Sequence, residues 1–401
     1  MRIEVSLRRP VHEDKEKSHH VNVTNAAHGP RSFKNPWPSH DDSHGGFVAF
    51  LKCRFGRDRP HFVPVPGNRG ELVPVQPIDF SEPRSGFKVT WLGHASFLLQ
   101  CATLDGAARG VNLLFDPVFS KRTSPVSFLG PKRYSPPPCT LAELVASVPI
   151  DLVLLSHNHY DHSDTATLRY LYRERNSDIR FIAALGNSRW LRRMGIKAGQ
   201  IHELDWWDAI EVRRGDDPSV EKACLQIVCT PAQHTSARGP FDRNQDLWCS
   251  FALEDLSSHK KVYFSGDTAY RSVPQNGLSV KEEARYPCCP AFKQIGDLLG
   301  PFDLAMLPIG LCTPRSFMSA VHCNAWDSIE MHQDIRSKRS IGMHWGTVRG
   351  FLSRYYEDVR DPPRRWREAA LEKKYKWREK GESPTEEWEV GLLDVGESLV
   401  V

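Results

Sequence analysis

The sequence lacks a long hydrophobic run, and this limits how the protein can meet a membrane. No stretch of its 401 residues approaches the ~20 apolar residues that a transmembrane helix needs. The N-terminus also lacks the pattern of a secretory signal. We therefore expect an intracellular protein whose membrane contact is at most peripheral.

A strong net charge is missing too. The formal charge of +4 is small for this length and gives no sign of nucleic-acid binding. No nucleophile elbow occurs, so a serine hydrolase of that type is not predicted. The ten cysteines are scattered, and the neighbours Cys288 and Cys289 are poorly placed to pair with each other. Free thiols in a reducing compartment are therefore predicted.

The first residues bear on the cellular compartment. Arg2, Arg8 and Arg9 would suit a mitochondrial targeting segment. Glu4 and Asp14 argue against one, because such segments are poor in acidic residues. We expect a cytoplasmic protein that associates peripherally with internal membranes, and we keep a mitochondrial location as the alternative.

Composition and pattern divide the chain into three parts. Residues 1–45 are polar and without periodicity, which predicts a poorly ordered segment with an arm at 33–38 that lies on the body. Residues 46–85 are predicted to form an N-terminal extension packed on the body, with a short helix at Phe47–Phe55. Residues 86–401 are predicted to form the main domain, including a highly charged helix at 363–380.

From Phe87 onwards, short apolar strands are separated by Gly, Pro and Asp. The pair Val89–His94 and Ser96–Leu99 is typical of a hairpin. After Leu152–Leu155 we predict an amphipathic helix with Ser163 as its cap. Strands mixed with helices and hairpins indicate an α+β or layered α/β fold. Further strands are predicted at 111–115, 180–184, 225–229, 248–253, 261–264, 304–307, 340–343 and 388–393, with a short helix from Ser188.

The run Ser156-His157-Asn158-His159-Tyr160-Asp161-His162 is the most informative feature of the sequence. It places three imidazoles and one carboxylate within six residues, directly after an apolar strand. Neutral imidazole and carboxylate are ligands for zinc and similar divalent ions. Four such ligands this close together predict a metal site at the end of the strand.

Three more candidate ligands each follow a predicted strand. They are His234, Asp267 and His344. Any one of them alone would more often be a structural histidine or an ordinary turn, but all three together with the first cluster favour a site for two metals. Asp267 can use both carboxylate oxygens and is the natural bridge between them. His94 is interpreted as structural or as a support behind the ligands.

These residues carry a resemblance to a known family. The H-x-H-x-D-H run with a later His, Asp and His resembles the metallo-β-lactamase superfamily. Within it, the chain most resembles the phospholipase D family that hydrolyses N-acylphosphatidylethanolamine, in collinear order over residues 33–360. The motifs of this narrower match are Asn35-Pro-Trp-Pro38, Trp91-Leu-Gly-His-Ala-Ser96, Asp116-Pro-Val-Phe-Ser120, Gly130-Pro-Lys-Arg133, Gln233-His234, Gly266-Asp-Thr268, Pro308-Ile-Gly310, Pro314-Arg315 and His344-Trp-Gly346.

The resemblance implies a metallo-β-lactamase αβ/βα four-layer sandwich that holds two zinc ions per chain. It implies hydrolysis of the phospholipid at a membrane surface by a metal-bridging hydroxide, giving phosphatidic acid and N-acylethanolamine. Relatives that dimerise make a homodimer an expectation. One zinc would be held by His157, His159 and His234, the other by Asp161, His162 and His344, with Asp267 shared. Asp116 matches an active-site position near the metals, and His322 matches a histidine near the substrate phosphate.

The chain departs from the family pattern in one region. His322 is followed by Cys-Asn-Ala rather than by the usual acidic sequence, Cys312-Thr313 replaces a common aromatic residue, and Ser316 replaces another. These changes bear on acyl and headgroup selectivity. Two other functions stay open: hydrolysis of a lactone, a cyclic phosphodiester or RNA, and metal binding without catalysis.

Three further segments have both a functional and an ordinary interpretation. Lys132-Arg133 would suit phosphate but are more often solvated or packed. The apolar residues of Phe47–Phe55 would suit a lipid surface, or would simply attach the extension to the core. The basic helix Arg364–Lys380 would suit anionic headgroups, although its mixed charges favour a solvated helix.

Overall fold

A computed structural model describes most of the chain. The described residues are 3–14, 17–21, 32–41, 43, 46–56, 60–103, 108–126, 128–175, 178–214, 223–350, 352–379 and 388–401. Residues 22–31 of the polar N-terminal stretch and the last position of the predicted charged helix, 380, lie outside them. No described helix has both the length and the apolar composition needed to span a bilayer. All ten cysteines are described and none of them forms a disulfide bond, which agrees with the predicted reduced thiols.

Short strands and helices alternate along the chain. The strands are β1 (Ile3–Leu7), β2 (His20–Val21), β3 (Ser32–Phe33), β4 (Phe87–Gly93), β5 (Ser96–Cys101), β6 (Asn112–Phe115), β7 (Lys132–Arg133), β8 (Leu152–Leu155), β9 (Arg180–Ala184), β10 (Ile201–Leu204), β11 (Ala209–Arg214), β12 (Leu225–Thr230), β13 (Ser250–Asp255), β14 (Lys261–Phe264), β15 (Leu304–Pro308), β16 (Ser340–Met343), β17 (Val348–Arg349), β18 (Trp377–Arg378), β19 (Val390–Gly391) and β20 (Ser398–Val400). The helices are α1 (Gly46–Phe55), α2 (Leu141–Ser147), α3 (Thr165–Arg175), α4 (Ser188–Arg193), α5 (Val280–Glu283), α6 (Ala291–Leu299), α7 (Arg315–Met318), α8 (Ala325–Asp334), α9 (Ser353–Tyr356) and α10 (Asp361–Glu372).

Two large mixed sheets form the centre of the fold. The first has the strand order β10-β9-β8-β6-β5-β4-β20, and the second has the order β1-β11-β12-β13-β14-β15-β16-β19-β18. In the first sheet β6, β8, β9 and β10 are parallel, and β4 and β5 form the predicted hairpin. In the second, β14, β15 and β16 are parallel, whereas β11 to β13 are antiparallel. The layered α/β prediction is confirmed.

Strand β8 shows how the layers are joined. Leu152 and Leu154 belong to the large core between the two sheets. Val153 and Leu155 face the other way and share a second core with Leu168 of α3. Successive side chains of a strand point to opposite faces, so a strand covered on both faces is apolar throughout. With α8 packed on β15 of the second sheet, the layers run helix, sheet, sheet, helix.

The structure corrects the predicted start of α3. The sequence predicts Ser163 as the cap, but the helix begins at Thr165 and Asp164 precedes it. Asp164 accepts hydrogen bonds from the backbone of Ala166 and from the hydroxyl of Thr167. The Ser163 hydroxyl instead donates to the carbonyl of His157, at 2.7 Å. Ser163 therefore stabilises the loop Ser156–His162, which we call the histidine-rich loop.

The predicted charged helix and final strand are both shorter in the structure. Helix α10 covers residues 361–372, and Trp377–Arg378 pairs with β19 as a strand. Lys374 has a φ of 63°, a left-handed conformation typical of a residue just past a helix end. Charged residues occur in both solvated helices and edge strands, so composition alone did not locate this boundary. The predicted strand 388–393 is reduced to Val390–Gly391.

The N-terminal segment contains a strand that the sequence did not reveal. Strand β1 pairs antiparallel with β11 at the edge of the second sheet, with Val5 opposite Val212. Its partner strand lies some two hundred positions away in the chain, so the local sequence pattern did not predict this strand. Further along the predicted arm, Trp37 stacks on Trp206 with 5.2 Å between ring centroids. The division of the chain into domains stays a prediction.

Candidate metal centre

The candidate ligands follow strands that end at one edge of the two sheets. The loop Ser156–His162 follows β8, and Asp116 follows the parallel strand β6. In the second sheet β13 is antiparallel to β12 and to β14, so these two run in the same direction, and β16 runs parallel to β14 through β15. His234, Asp267 and His344 follow β12, β14 and β16 respectively.

Three histidines form the first group. The Nδ1 atom of His159 lies 2.9 Å from Nε2 of His157 and 3.3 Å from Nε2 of His234. His157 and His234 are buried, whereas His159 is partly exposed. The three ring nitrogens therefore surround one point, which solvent can reach on the side of His159.

The second group contains Asp161, His162 and His344, and Asp267 lies between the two groups. Asp267 Oδ1 is 3.1 Å from Nε2 of His344, and its Oδ2 is 3.1 Å from Nε2 of His162. The same Oδ2 is 3.9 Å from His234 Nε2. Asp161 Oδ2 is 3.8 Å from His344 Nε2, and its side chain is partly exposed. The structure thus brings together all seven residues that the sequence predicts as ligands.

The second nitrogen of several rings is held by the protein. His162 Nδ1 donates to Asp116 at 2.7 Å, His234 Nδ1 to the carbonyl of Val321 at 2.8 Å, and His344 Nδ1 to the carbonyl of Gly310 at 3.3 Å. These bonds leave each Nε2 facing the centre. Ligating histidines are typically oriented in this way by partners outside the ligand shell.

Asp116 positions the histidine-rich loop that follows strand β8 of the first sheet. It is fully buried and accepts a hydrogen bond from the backbone of Ser156 at 2.8 Å as well as one from the Ser156 hydroxyl. Burial raises the pKa of its carboxyl, against the opposing effect of His162. Asp116 has a φ of 39°, and His94 and His344, which also follow strands, have φ values of 55° and 63°. Such left-handed conformations are costly for residues other than glycine and cluster at functional sites.

The electrostatics of the centre favour bound positive charge. Burial lowers the pKa of His157 well below its usual range, which keeps that imidazole neutral and available as a ligand. Burial alone would raise the pKa of the Asp267 carboxyl, but His162 and His344 hold it well below its usual range. Burial would likewise lower the pKa of His344, but Asp267 and Asp161 raise it to about 9. The carboxylates therefore supply the negative charge that a cation site requires.

The buried polar atoms at the centre fit a divalent metal. His162 Nε2, His344 Nε2 and Asp267 Oδ1 are buried, and although the two rings lie 3.1 Å from the Asp267 carboxylate, none of these atoms forms a well-oriented hydrogen bond. Leaving such atoms unsatisfied costs about 1–3 kcal/mol each, and coordination to a cation would satisfy them. Imidazole nitrogen and carboxylate oxygen are the donors that zinc accepts. The donor set thus fits two neighbouring cations, while the assignment of individual ligands stays a prediction.

Two other sequence candidates lie at the margin of the centre. His322 Nδ1 is 3.9 Å from Asp267 Oδ2, and 12% of its side chain is exposed. Burial lowers the pKa of His322 to about 4, so the imidazole is neutral. His94 Nε2 donates to Asp161 Oδ2 at 3.1 Å, which agrees with a supporting position behind the ligands.

Asn35 supports the centre through the backbone of His234, a contact that the sequence did not predict. Its side-chain NH₂ donates to the carbonyl of His234 at 2.8 Å, and its side-chain oxygen accepts from the His234 N–H at 3.2 Å. The Asn-Pro-Trp-Pro motif indicated an arm on the body but gave no sign of where its first residue would bind. Arg133, considered for phosphate, is instead buried and donates to the carbonyl of Val118 at 3.1 Å.

Comparison with known proteins agrees with this geometry. The family described as Beta-lactamase superfamily domain matches residues 111–345. N-acyl-phosphatidylethanolamine-hydrolyzing phospholipase D 1 of Caenorhabditis elegans is 33% identical over 356 residues, which cover 88% of this chain and 89% of the worm protein. The mitochondrial N-acyl-phosphatidylethanolamine-hydrolyzing phospholipase D of Saccharomyces cerevisiae is 29% identical over 64% of this chain and 47% of its own length.

A solved structure shows the same fold. The structure of a possible metal-dependent hydrolase from Veillonella parvula matches with a TM-score of 0.50 and 13% identity, covering 79% of this chain and 100% of that chain. The family match spans more than half of the chain, and the worm relative is similar over nearly its full length. The protein is therefore a metal-dependent, phosphodiesterase-type hydrolase of the metallo-β-lactamase superfamily, and it belongs to the phospholipase D family that hydrolyses N-acylphosphatidylethanolamine.

Proposed function

We propose that this protein is a zinc-dependent phospholipase D that hydrolyses N-acylphosphatidylethanolamine to phosphatidic acid and N-acylethanolamine. The observation that carries the proposal is the convergence of seven donor side chains in a chain that is collinear with the worm phospholipase over 88% of its length. The names of the worm and yeast relatives support a lipid substrate. A peripheral membrane contact, a cytoplasmic location and a homodimer remain part of the proposal.

The proposed site holds two zinc ions. His157, His159 and His234 would hold one ion, Asp161, His162 and His344 would hold the other, and Asp267 would serve both. When bound, such ions make hydroxide available near neutral pH and neutralise charge that develops on a phosphate.

The remaining residues position these groups. Asp116 fixes the ring of His162 through Nδ1 and the start of the histidine-rich loop through Ser156. His322 lies on the partly exposed side together with His159 and Asp161, where a substrate phosphate has access. We assign His322 the role of donating a hydrogen bond to that phosphate. The buried Asp116 is too enclosed to contact substrate and acts through His162.

The departures from the family pattern lie beside one cavity. Its volume is about 860 Å³, and Thr313, Asn324 and Trp326 contribute to its wall together with α1 and α10. Arg315, also in the wall, is paired with Glu283 at 2.9 Å and with Asp327. We assign acyl or headgroup selectivity to this cavity because the substituted positions lie in and around it.

The test is to measure zinc per chain and to supply N-acylphosphatidylethanolamine in mixed micelles, with lactone and generic phosphodiester probes in parallel. We expect two zinc ions and release of N-acylethanolamine, detected by mass spectrometry. Turnover of another probe alone would favour the hydrolase of a different substrate. Absence of both zinc and turnover would favour a non-catalytic metal-binding protein.

The bridging position of Asp267 gives the first prediction. Asp267→Asn keeps the shape but removes the charge between the two groups, so we expect zinc content to fall and turnover to drop by at least about a hundredfold. The control is Asp297→Asn, since Asp297 is exposed and pairs with the equally exposed Lys293 on the surface of α6. Wild-type turnover by Asp267→Asn would refute the bridging role.

A further inference from the structure

A surface beside the metal centre combines exposed apolar side chains with cations. We call it the basic–apolar face. Its large apolar side chains are strongly exposed, with Phe128 at 77%, Phe55 at 68%, Leu129 at 60% and Phe62 at 55%. Exposed apolar residues are ordinary when scattered, but several on one face mark an interaction site.

The middle of this face is a groove of about 580 Å³. Phe62, Phe128 and Leu129 line it. Five cationic side chains also line it, namely Arg122, Lys132, Arg133, Arg349 and Arg354. Among the described residues of its wall there is no aspartate or glutamate. Arg133 is buried, and Glu357 and Asp358 lie near Arg349. The accessible positive charge next to the apolar side chains therefore comes from Arg122, Lys132 and Arg354.

Ring contacts extend the face from the groove to helix α1. The guanidinium of Arg349 lies 5.7 Å from the ring centroid of Phe62, which is 6.0 Å from the ring of Tyr355. Tyr355 in turn lies under the guanidinium of Arg54, at 4.9 Å, and Arg54 also covers Phe55 at 4.7 Å. Alternation of rings and guanidinium groups makes one continuous surface rather than isolated exposed residues.

The face lies at the same edge of the sheets as the metal centre. The segment that carries Arg122 and Phe128 leaves β6 directly after Asp116, and the segment that carries Arg349 follows His344. These two segments pair with each other through β7 and β17. A partner bound to the face would therefore lie beside the opening of the centre.

Helix α10, the other basic segment considered for lipid contact, is less suited. Arg364 is paired with Glu368 at 2.6 Å and with Asp361 at 3.0 Å, and Arg367 is paired with Glu379 at 2.7 Å. Cations already paired in this way contribute little to binding an anionic surface. The structure therefore favours the interpretation of α10 as an ordinary solvated helix.

We propose that the basic–apolar face binds the surface of a bilayer that contains anionic phospholipid. Phe128 and Leu129 enter the headgroup region, and Arg122 and Lys132 contact lipid phosphates. Charge complementarity and exposed aromatic residues are the combination by which peripheral proteins bind such surfaces. The inference rests on the proposed phospholipid substrate, because it places the centre where that lipid resides.

The test measures binding of the full-length protein to vesicles that contain no N-acyl lipid, so its result does not depend on catalysis. Vesicles of phosphatidylcholine alone are compared with vesicles that also contain phosphatidic acid, by co-sedimentation at low and high salt. We expect binding to the anionic vesicles only, weakened by salt. The variants F128S/L129S and R122Q/K132Q should each lower the partition coefficient by about tenfold or more.

Matched controls change exposed residues that do not line the groove. Phe241→Ser removes a side chain that is 90% exposed, and R192Q/K197Q removes two exposed cations. Both should bind like the wild type, and thermal unfolding verifies that every variant is folded. Absence of wild-type binding, or equal losses in the control variants, would overturn the proposal. So would a face variant that dissociates a dimer but binds vesicles normally, since the face would then join two copies.

Discussion

Individual side chains of the centre owe their orientation to groups outside it. The His162 ring is fixed by Asp116, and the backbone of His234 is held by Asn35 on both its N–H and its carbonyl. Partners of this kind typically change metal affinity by 10–100-fold when removed, although they contact neither metal nor substrate. Substitution of these supporting residues therefore tests the geometry of the site most directly.

Asn35→Ala should weaken zinc binding at the first histidine group by about tenfold, because His234 loses both backbone bonds to the arm. Competition with a chelator of known affinity measures the change. The control Asn68→Ala removes an amide that caps only a short exposed turn. Unchanged zinc affinity in Asn35→Ala, with the fold intact, would show that the arm does not position His234.

At the scale of elements, α8 and β16 are joined by a buried histidine. His332 Nδ1 shares a hydrogen bond of 2.8 Å with the Ser340 hydroxyl, and burial lowers the pKa of His332 to about 4. The unfolded chain binds a proton near pH 6.5, well above this value. The contribution to stability is therefore fully present above about pH 6.5 and is lost as the pH falls towards 4.

His332→Gln should therefore make the free energy of unfolding depend less on pH in this acidic range. Between pH 6.5 and 5 the wild type should lose roughly 2 kcal/mol more of its free energy of unfolding than the variant. Urea unfolding of both proteins at several pH values measures the difference, and other titrating groups cancel in the comparison. Parallel curves for the two proteins would refute the assignment to His332. Replacement of the exposed His259 gives the control.

The composition of individual strands and helices explains which of their boundaries could be predicted from the sequence. Strands β14 and β16 match the predicted ranges because each is a short apolar run flanked by polar residues. Helix α10 and strand β18 were merged in the prediction because both contain charged residues, and the burial of Arg378 in β18 depends on its remote partners Leu392 and Glu397. Strand β1 was missed because its partner β11 is remote in sequence.

For the whole molecule, the centre joins the two sheets at one edge. His157 and His162 belong to a loop of the first sheet, and Asp267 and His344 follow strands of the second. A metal shared by these side chains would cross-link the layers in addition to the hydrophobic core between them. Binding to the folded state alone stabilises that state in proportion to the logarithm of the metal concentration relative to the dissociation constant.

Removal of zinc by a chelator should therefore lower the melting temperature by several degrees, and added zinc should restore it. Calorimetry before and after chelation, with zinc content measured in each sample, tests this. In the variant Asp267→Asn, the melting temperatures measured before and after chelation should differ less than in the wild type. A metal-free wild type with an unchanged melting temperature would contradict a cross-linking role.

The sequence alone determined the layered α/β class and the candidate ligands of the centre. It could do so because burial on both faces makes strands apolar, and because the ligands stand directly after those strands. Tertiary structure alone decided how Asp267 lies between the two groups, how Asn35 holds His234, and that Phe62 and Phe128 line one groove. These contacts join residues far apart in the chain, and only the packing of the two sheets brings them within bonding distance.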